Sequence, residues 1–323
     1  MVERNYKNPI EEFNLTIEEY GEYQRYVREC LEKGLPYHDL EGWAKIHCKG
    51  KYFRDLEKDK IKKKWLEKKN HTKELRDCIL ENYGSFSFSH YDELLSRNIE
   101  EQYIIRFLYL CTYLELNDTT NRIHYGKTND GLATEKDLKE ILKMDKKEKE
   151  RTFERTKKAF IDYELIYINK DRTISVNSKY CTKGKIKDKD LLKESVKIMD
   201  EGIRDIYERA TITEHKKLGL LIKLLPYINF NHNIICSNPT ENDIEKIIPL
   251  NMKELCNKVG YNPTNSNRLK RDLFALTVNG ELVVKITETG KAKFITINPR
   301  VYYKGTDKDK LKAIGDEFKV RKD

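Results

Sequence analysis

Leu165-Ile166-Tyr167-Ile168-Asn169-Lys170-Asp171-Arg172-Thr173-Ile174-Ser175-Val176 decides how the chain is read. Two β-branched runs flank a four-residue turn, Asn169 to Arg172, which is the signature of a β-hairpin. Upstream, the apolar period changes from two to that of a helix. Asp145 to about Tyr163 reads as a helix with Phe153, Thr156 and Phe160 on its inner side. Before it stands a short helix, Glu135 to Met144, opened by Thr134. Before that runs Ile99 to Leu116, where Ile104, Phe107, Leu108, Cys111, Tyr113 and Leu114 form a wide apolar stripe. The order is helix, helix, helix, hairpin.

That order recurs downstream. Glu214 to Tyr227 reads as a first helix, and Asn251 caps a second, Met252 to Val259, which Gly260 ends. Pro263 opens a third, with Leu269, Leu273 and Leu276 buried. Glu281 to Thr287 and Lys293 to Asn298 form a hairpin about Glu288-Thr289-Gly290-Lys291. The two stretches also end alike. Ile174, Asn177, Lys183 and Gly184 match Ile295, Asn298, Lys304 and Gly305 at a constant offset of 121 residues. The expected fold class is therefore mainly α (α+β), with tandem winged helix-turn-helix modules over 99–186 and 211–306.

The remainder is organised around these modules. Residues 1–98 read as a helical, basic N-terminal region, with a first helix from Thr16, the N-cap, to about Glu32, stopped by Gly34. Within it, Lys49 to Lys73 holds eleven Lys and Arg against four acids, together with Tyr52, Phe53 and Trp65. A solvated Lys-rich face and an arm tracking a nucleic-acid backbone both fit that stretch. Residues 187–210 read as a long linker helix in which Leu192, Val196, Met199, Ile203 and Ile206 are spaced four, three, four, three. Either the seam packs on its own modules or it pairs two copies into a homodimer. Residues 307–323 read as a charged tail.

Lys and Arg total 63 against 54 Asp and Glu, a net charge of +9, and the location of that excess matters more than its size. On the first third helix Arg151, Arg155 and Lys158 share a face, with Lys147 at its start. On the second, Thr264, Asn265, Asn267, Arg268, Lys270 and Arg271 crowd the first two turns. Arg can bond guanine O6 and N7 together, Asn the N6 and N7 of adenine, and Lys mostly phosphate. Lys170 and Arg172 top the first hairpin, and Lys291 and Lys293 the second. These fourteen residues are the expected contacts to double-stranded DNA.

Bond chemistry and cofactors find little support. Gly126-Lys127-Thr128 lacks the first glycine of a phosphate loop, because position 121 is Asn. Asp55, Glu57 and Asp59 lie among lysines, and no His-hydrophobe-His pair accompanies the many tyrosines. His215 and His232 read as isolated surface or capping residues. The seven cysteines contain no C-x-x-C pair, so they are expected reduced and buried or half-buried, with no zinc site. No catalytic residue, metal or cofactor is expected. No apolar window of transmembrane length and no secretory h-region is found, so a cytoplasmic protein without a membrane partner is expected.

The closing run Ile297-Asn298-Pro299-Arg300-Val301-Tyr302-Tyr303-Lys304-Gly305, with its counterpart after Val176, resembles the winged-helix plasmid and phage replication proteins of Gram-positive bacteria. The resemblance covers about 99–305. It implies a DNA-binding protein without enzymatic activity that acts in DNA replication at origin repeats and recruits host replication proteins. The same architecture serves phage transcription regulators, which implies host transcription proteins as partners instead. A protein-interaction or adaptor module is the alternative from a different class.

Overall fold

The computed structural model describes residues 15–48, 51–116, 118–125, 131–184, 195–289 and 292–319, without the side chains of 51–57, 288, 289 and 292. Two compact units divide at Lys73 and Glu74. The fold is α+β, helices with small antiparallel sheets. Among the described residues no helix is long and apolar enough to cross a membrane.

In the first unit, α1 (Ile17–Glu32) starts where expected. Thr16 and Glu19 form a reciprocal capping box, with Thr16 Oγ1 accepting from Glu19 N at 3.1 Å. Helix α2 (Leu40–His47) lays Trp43 against Tyr23 and Tyr26. Helix α3 (Lys51–Tyr83) begins in this unit and ends in the next.

The second unit is built about a four-stranded antiparallel sheet. Its members are β1 (Phe86–Ser89), β4 (Cys181–Thr182), β5 (Val196–Met199) and β10 (Tyr302–Tyr303), in the order β10-β5-β1-β4. Between β1 and β4 come α4 (Tyr91–Ser96), α5 (Glu101–Cys111), α6 (Leu138–Ile141), α7 (Glu150–Asp162) and the hairpin β2 (Ile166–Ile168) with β3 (Ile174–Val176). Between β5 and β10 come α8 (Asp200–Arg209), α9 (His215–Leu218), α10 (Leu220–Leu224), α11 (Met252–Val259), α12 (Ser266–Phe274), the short pair β6 (Thr277–Val278) with β7 (Glu281–Leu282), and the hairpin β8 (Val284–Thr289) with β9 (Ala292–Ile297). Helix α13 (Lys308–Lys319) closes the chain. The expected charged tail is thus corrected, because Leu311, Ile314 and Phe318 of α13 bury against Leu75, Ile79 and Tyr83.

The repeat is held by the same bonds in each half. Asn121, at φ +53°, donates through Nδ2 to the carbonyls of Val176 (2.9 Å) and Cys181 (2.8 Å). Asn233, at φ +50°, donates to those of Ile297 (3.2 Å) and Tyr302 (2.7 Å). Asn177 donates to Glu164 O and accepts from Lys179 N, while Asn298 donates to Leu282 O and accepts from Arg300 N. Asn is the side chain that tolerates the left-handed region and can bond two carbonyls at once.

The halves meet strand to strand. Phe88 faces Lys197, with Ser87 opposite Ile198 and Ser89 opposite Val196. Strand β4 then pairs on β1, and β10 on β5. This register is symmetric about the Phe88–Lys197 pair, so an approximate two-fold relates the halves. The closing lysines cross it. Lys183, from the first half, reaches Asp200 at 2.6 Å, whereas Lys304, from the second, donates to Tyr91 Oη (2.8 Å) and Leu225 O (2.7 Å).

The linker helix expected over 187–210 is corrected. Leu192 lies outside the described residues. Val196 and Met199 stand on β5, and only Ile203 and Ile206 are helical, on α8. In a strand, alternate side chains face opposite ways. Val196 and Ile198 accordingly join the main core and Met199 the smaller core beside α3. The four described members of the seam are buried in their own unit, so they offer no dimerisation face. The heptad spacing arose by chance across a strand–helix junction.

Candidate nucleic-acid interface

Helix α7 starts at Glu150, after a 3₁₀ turn at Lys147–Lys149, rather than at Asp145, which caps nothing there. Its inner face buries Phe153, Thr156, Ala159 and Phe160, as the period requires. Arg151, Arg155 and Lys158 are exposed on the outer side, and Lys147 is exposed in the turn before it. The acids that interleave with these cations are partly removed. Glu150 is taken up by Lys139 on α6, whereas Lys157 of α7 is itself taken up by Glu135. Arg151, Arg155 and Lys158 take part in no ion pair among the described residues.

Helix α12 follows a 3₁₀ turn, Pro263–Asn265, in which Thr264 N donates to Asn262 Oδ1. Thr264, Asn265, Asn267, Arg268, Lys270 and Arg271 are all exposed, while Leu269 and Leu273 are buried. Asp272, the one acid of this helix, is buried. It accepts from Tyr261 Oη at 3.2 Å and lies 3.8 Å from Arg268. The carboxylate therefore orients Arg268 and Tyr261 and leaves the outer surface cationic and amide-rich.

Each hairpin sits on the same polypeptide half as its helix. Asp171 in the first turn accepts from Thr173 N and Oγ1 and pairs with Arg122 at 3.1 Å. Those bonds fix the turn and leave Lys170 and Arg172 exposed at its tip. In the second hairpin Lys293 is exposed, and Lys291 lies outside the described residues. So do Gly126, Lys127 and Thr128, and the side chains of Tyr52, Phe53, Asp55 and Glu57.

Sequence reasoning missed two features. One is a cleft of about 280 Å³ beside α12, lined by Lys216, Lys217, Lys223, Arg268 and Glu101. Lys223 is held by Glu101, and Lys216 and Lys217 remain exposed. The cations converge from α9, α10 and α12, so no local motif announces them.

The other is the support beneath α7. Arg106 is buried on α5, and it donates from Nε to His215 Nδ1 at 3.2 Å and from a terminal nitrogen to Thr156 Oγ1 at 2.8 Å. His215 is thus corrected from a surface residue to a buried one. Burial first, and then the neighbouring Arg106 cation, hold its pKa down to about 3. His232 is half-buried, and its Nε2 has no hydrogen-bond partner among the described residues. All seven cysteines are free thiols, five buried and two half-buried, as expected.

The His215 shift makes stability pH-dependent. The unfolded imidazole takes a proton near pH 6.5, whereas the folded one stays neutral until about pH 3. The unfolded state binds more protons between those values, so stability falls as pH drops through that window. From pH 7 to pH 5 a loss of about 2 kcal/mol is expected by urea denaturation. His215→Gln, which keeps an acceptor for Arg106, should remove most of that slope; an unchanged slope would refute the assignment. The depressed carboxyls of Glu101 and Asp118 act in the same direction only at lower pH.

Compared with protein-family models, with curated proteins and with solved structures, the chain matches none.

Proposed function

We propose that the chain is a sequence-specific double-stranded DNA-binding protein. In this reading each half of the second unit is a winged helix-turn-helix module, acting in replication initiation or transcription regulation of a plasmid or phage without bond chemistry. The observation that carries it is the repeated presentation of one helix, α7 or α12, with a dry inner face and a cationic or amide outer face beside a basic hairpin. A helix of that kind is what the major groove admits, and the residues at its N-terminal end reach base edges. Asn265, Asn267 and Arg268 stand at that end of α12, and Arg151 and Arg155 on the outer side of α7. Lys158, Lys170, Arg172, Lys270, Arg271 and Lys293 suit phosphates. The approximate two-fold favours a target with an imperfect inverted repeat, read by one chain.

Selection from random duplexes, followed by anisotropy titrations, tests this. One enriched sequence and salt-dependent affinity are expected. Asn265→Ala with Arg268→Ala should lose about 1–3 kcal/mol of discrimination for each base pair read, about 5- to 150-fold, with non-specific affinity little changed. Absent or salt-independent binding would sink the reading. Full affinity in Arg268→Glu with Lys270→Glu would move it to a protein-interaction module.

A further inference from the structure

In α3, every residue from 58 to 74 is exposed, and the first buried side chain is Leu75. Seventeen residues make nearly five turns, about 25 Å of helix. A helix in a folded protein normally hides one stripe; this stretch hides none. Ile61, Trp65 and Leu66 are exposed at 66%, 59% and 50%.

Helical spacing sorts its charges. Lys58, Lys62, Trp65, Lys69 and Lys73 step by four, three, four and four, so they form one stripe. Asp59, Lys63 and Glu67 step by four on another side, where acid and base alternate. The first stripe contains no acid. Lys58 with Lys62, and Lys69 with Lys73, are like charges one turn apart, which weakens an isolated helix. At its centre Lys69 Nζ stands 5.0 Å over the Trp65 ring.

We propose that this stripe is a second, sequence-independent contact to duplex DNA. Lys58, Lys62, Lys69 and Lys73 follow phosphates, and Trp65 rests against the sugar–phosphate backbone between them. The identity of the partner rests on the function proposed above; the contact rests on the stripe alone. An anionic polymer relieves the like-charge pairs and releases its own counterions. A membrane surface would require an apolar face opposite the basic one, and the side opposite carries Lys60, Lys64, Glu67 and His71 instead.

The test uses the full chain and labelled duplexes of unrelated sequence. Replacing Lys58, Lys62, Lys69 and Lys73 together with Gln, a good helix former, should weaken binding to every duplex at least about tenfold near 0.1 M salt. The magnitude of the salt slope should fall by about 3.6, from ~0.9 for each of the phosphates lost, with sequence preference unchanged. Trp65 supplies a readout in the unaltered chain. The only other tryptophan, Trp43, is 2% exposed, so DNA should quench emission in the natural protein and not in Trp65→Phe.

A wild-type salt slope in the Gln variant, or no Trp65 response to DNA, overturns the proposal. So does a Trp65 response to phosphatidylserine vesicles but not to duplexes. If the Gln variant loses salt slope while Asn265→Ala with Arg268→Ala keeps its preference, the base-reading function fails and this contact stands. The converse result removes the contact alone.

Discussion

Asp200→Ala is expected to cost about 3–5 kcal/mol, a large fraction of the roughly 5–15 kcal/mol that holds a typical domain folded. Asp200 is 1% exposed and stands where β5 becomes α8. Its Oδ2 takes Lys183 Nζ at 2.6 Å and Ser85 Oγ at 2.7 Å, and its Oδ1 takes Ser87 Oγ at 3.1 Å. One carboxylate thus satisfies a largely covered ammonium and two hydroxyls from two segments. Truncation leaves the Lys183 charge, 9% exposed, with only the neutral Ser85 Oγ at 3.5 Å, and that stranded charge dominates the cost. Urea denaturation measures it. Adding Lys183→Met to Asp200→Leu should recover at least half of the loss, because an apolar pair of similar volume has no charge to desolvate. A loss below about 1 kcal/mol for Asp200→Ala, or no recovery in the double variant, would overturn this account.

Gly202→Ala should destabilise by more than about 2 kcal/mol, against the usual rule. In a helix interior, alanine in place of glycine ordinarily stabilises by up to about 1 kcal/mol. Gly202 lies in the first turns of α8, and a Cβ there would stand 1.8 Å from the carbonyl oxygen of Arg300. The obstacle is backbone, and Asn298, the residue whose Oδ1 binds Arg300 N, is itself fixed in the repeat. The helix must therefore move away from the turn before β10. Thermal unfolding provides the measurement, and a melting temperature at or above that of the natural chain would refute the close approach. Gly280→Ala is a useful contrast. No atom lies within 4 Å of that Cβ, and only the φ of +79° opposes it.

Much of this architecture was legible in periodicity. The apolar stripes of α5, α7 and α12 stand on the faces expected, and both hairpins fall at their turns. The gapless match after Val176 marked bonds that are alike in both halves. Asn121 and Asn233 escaped notice because they are 112 positions apart while the carbonyls they bond are 121 apart. The central sheet escaped because its strands are two to four residues long and come from four distant places. A seam at heptad spacing is no different, letter by letter, from a strand followed by a helix. Among candidate contacts, exposure on α7 and α12 followed from the same period. The buried Arg106–His215 support was not legible, since a polar pair 109 residues apart carries no local signal.

The crossing of Lys183 and Lys304 over the two-fold has a consequence for the DNA binding proposed above. Two identical subunits that read a palindrome must first find each other, so their occupancy curves steepen at low concentration. In the proposed function both reading halves are tethered in one chain and already docked through β1 and β5. Occupancy of a single site should therefore rise as a simple hyperbola, without a threshold in protein concentration. Under that proposal the two half-sites would also be free to drift apart in sequence, because each would be matched by side chains that mutate separately.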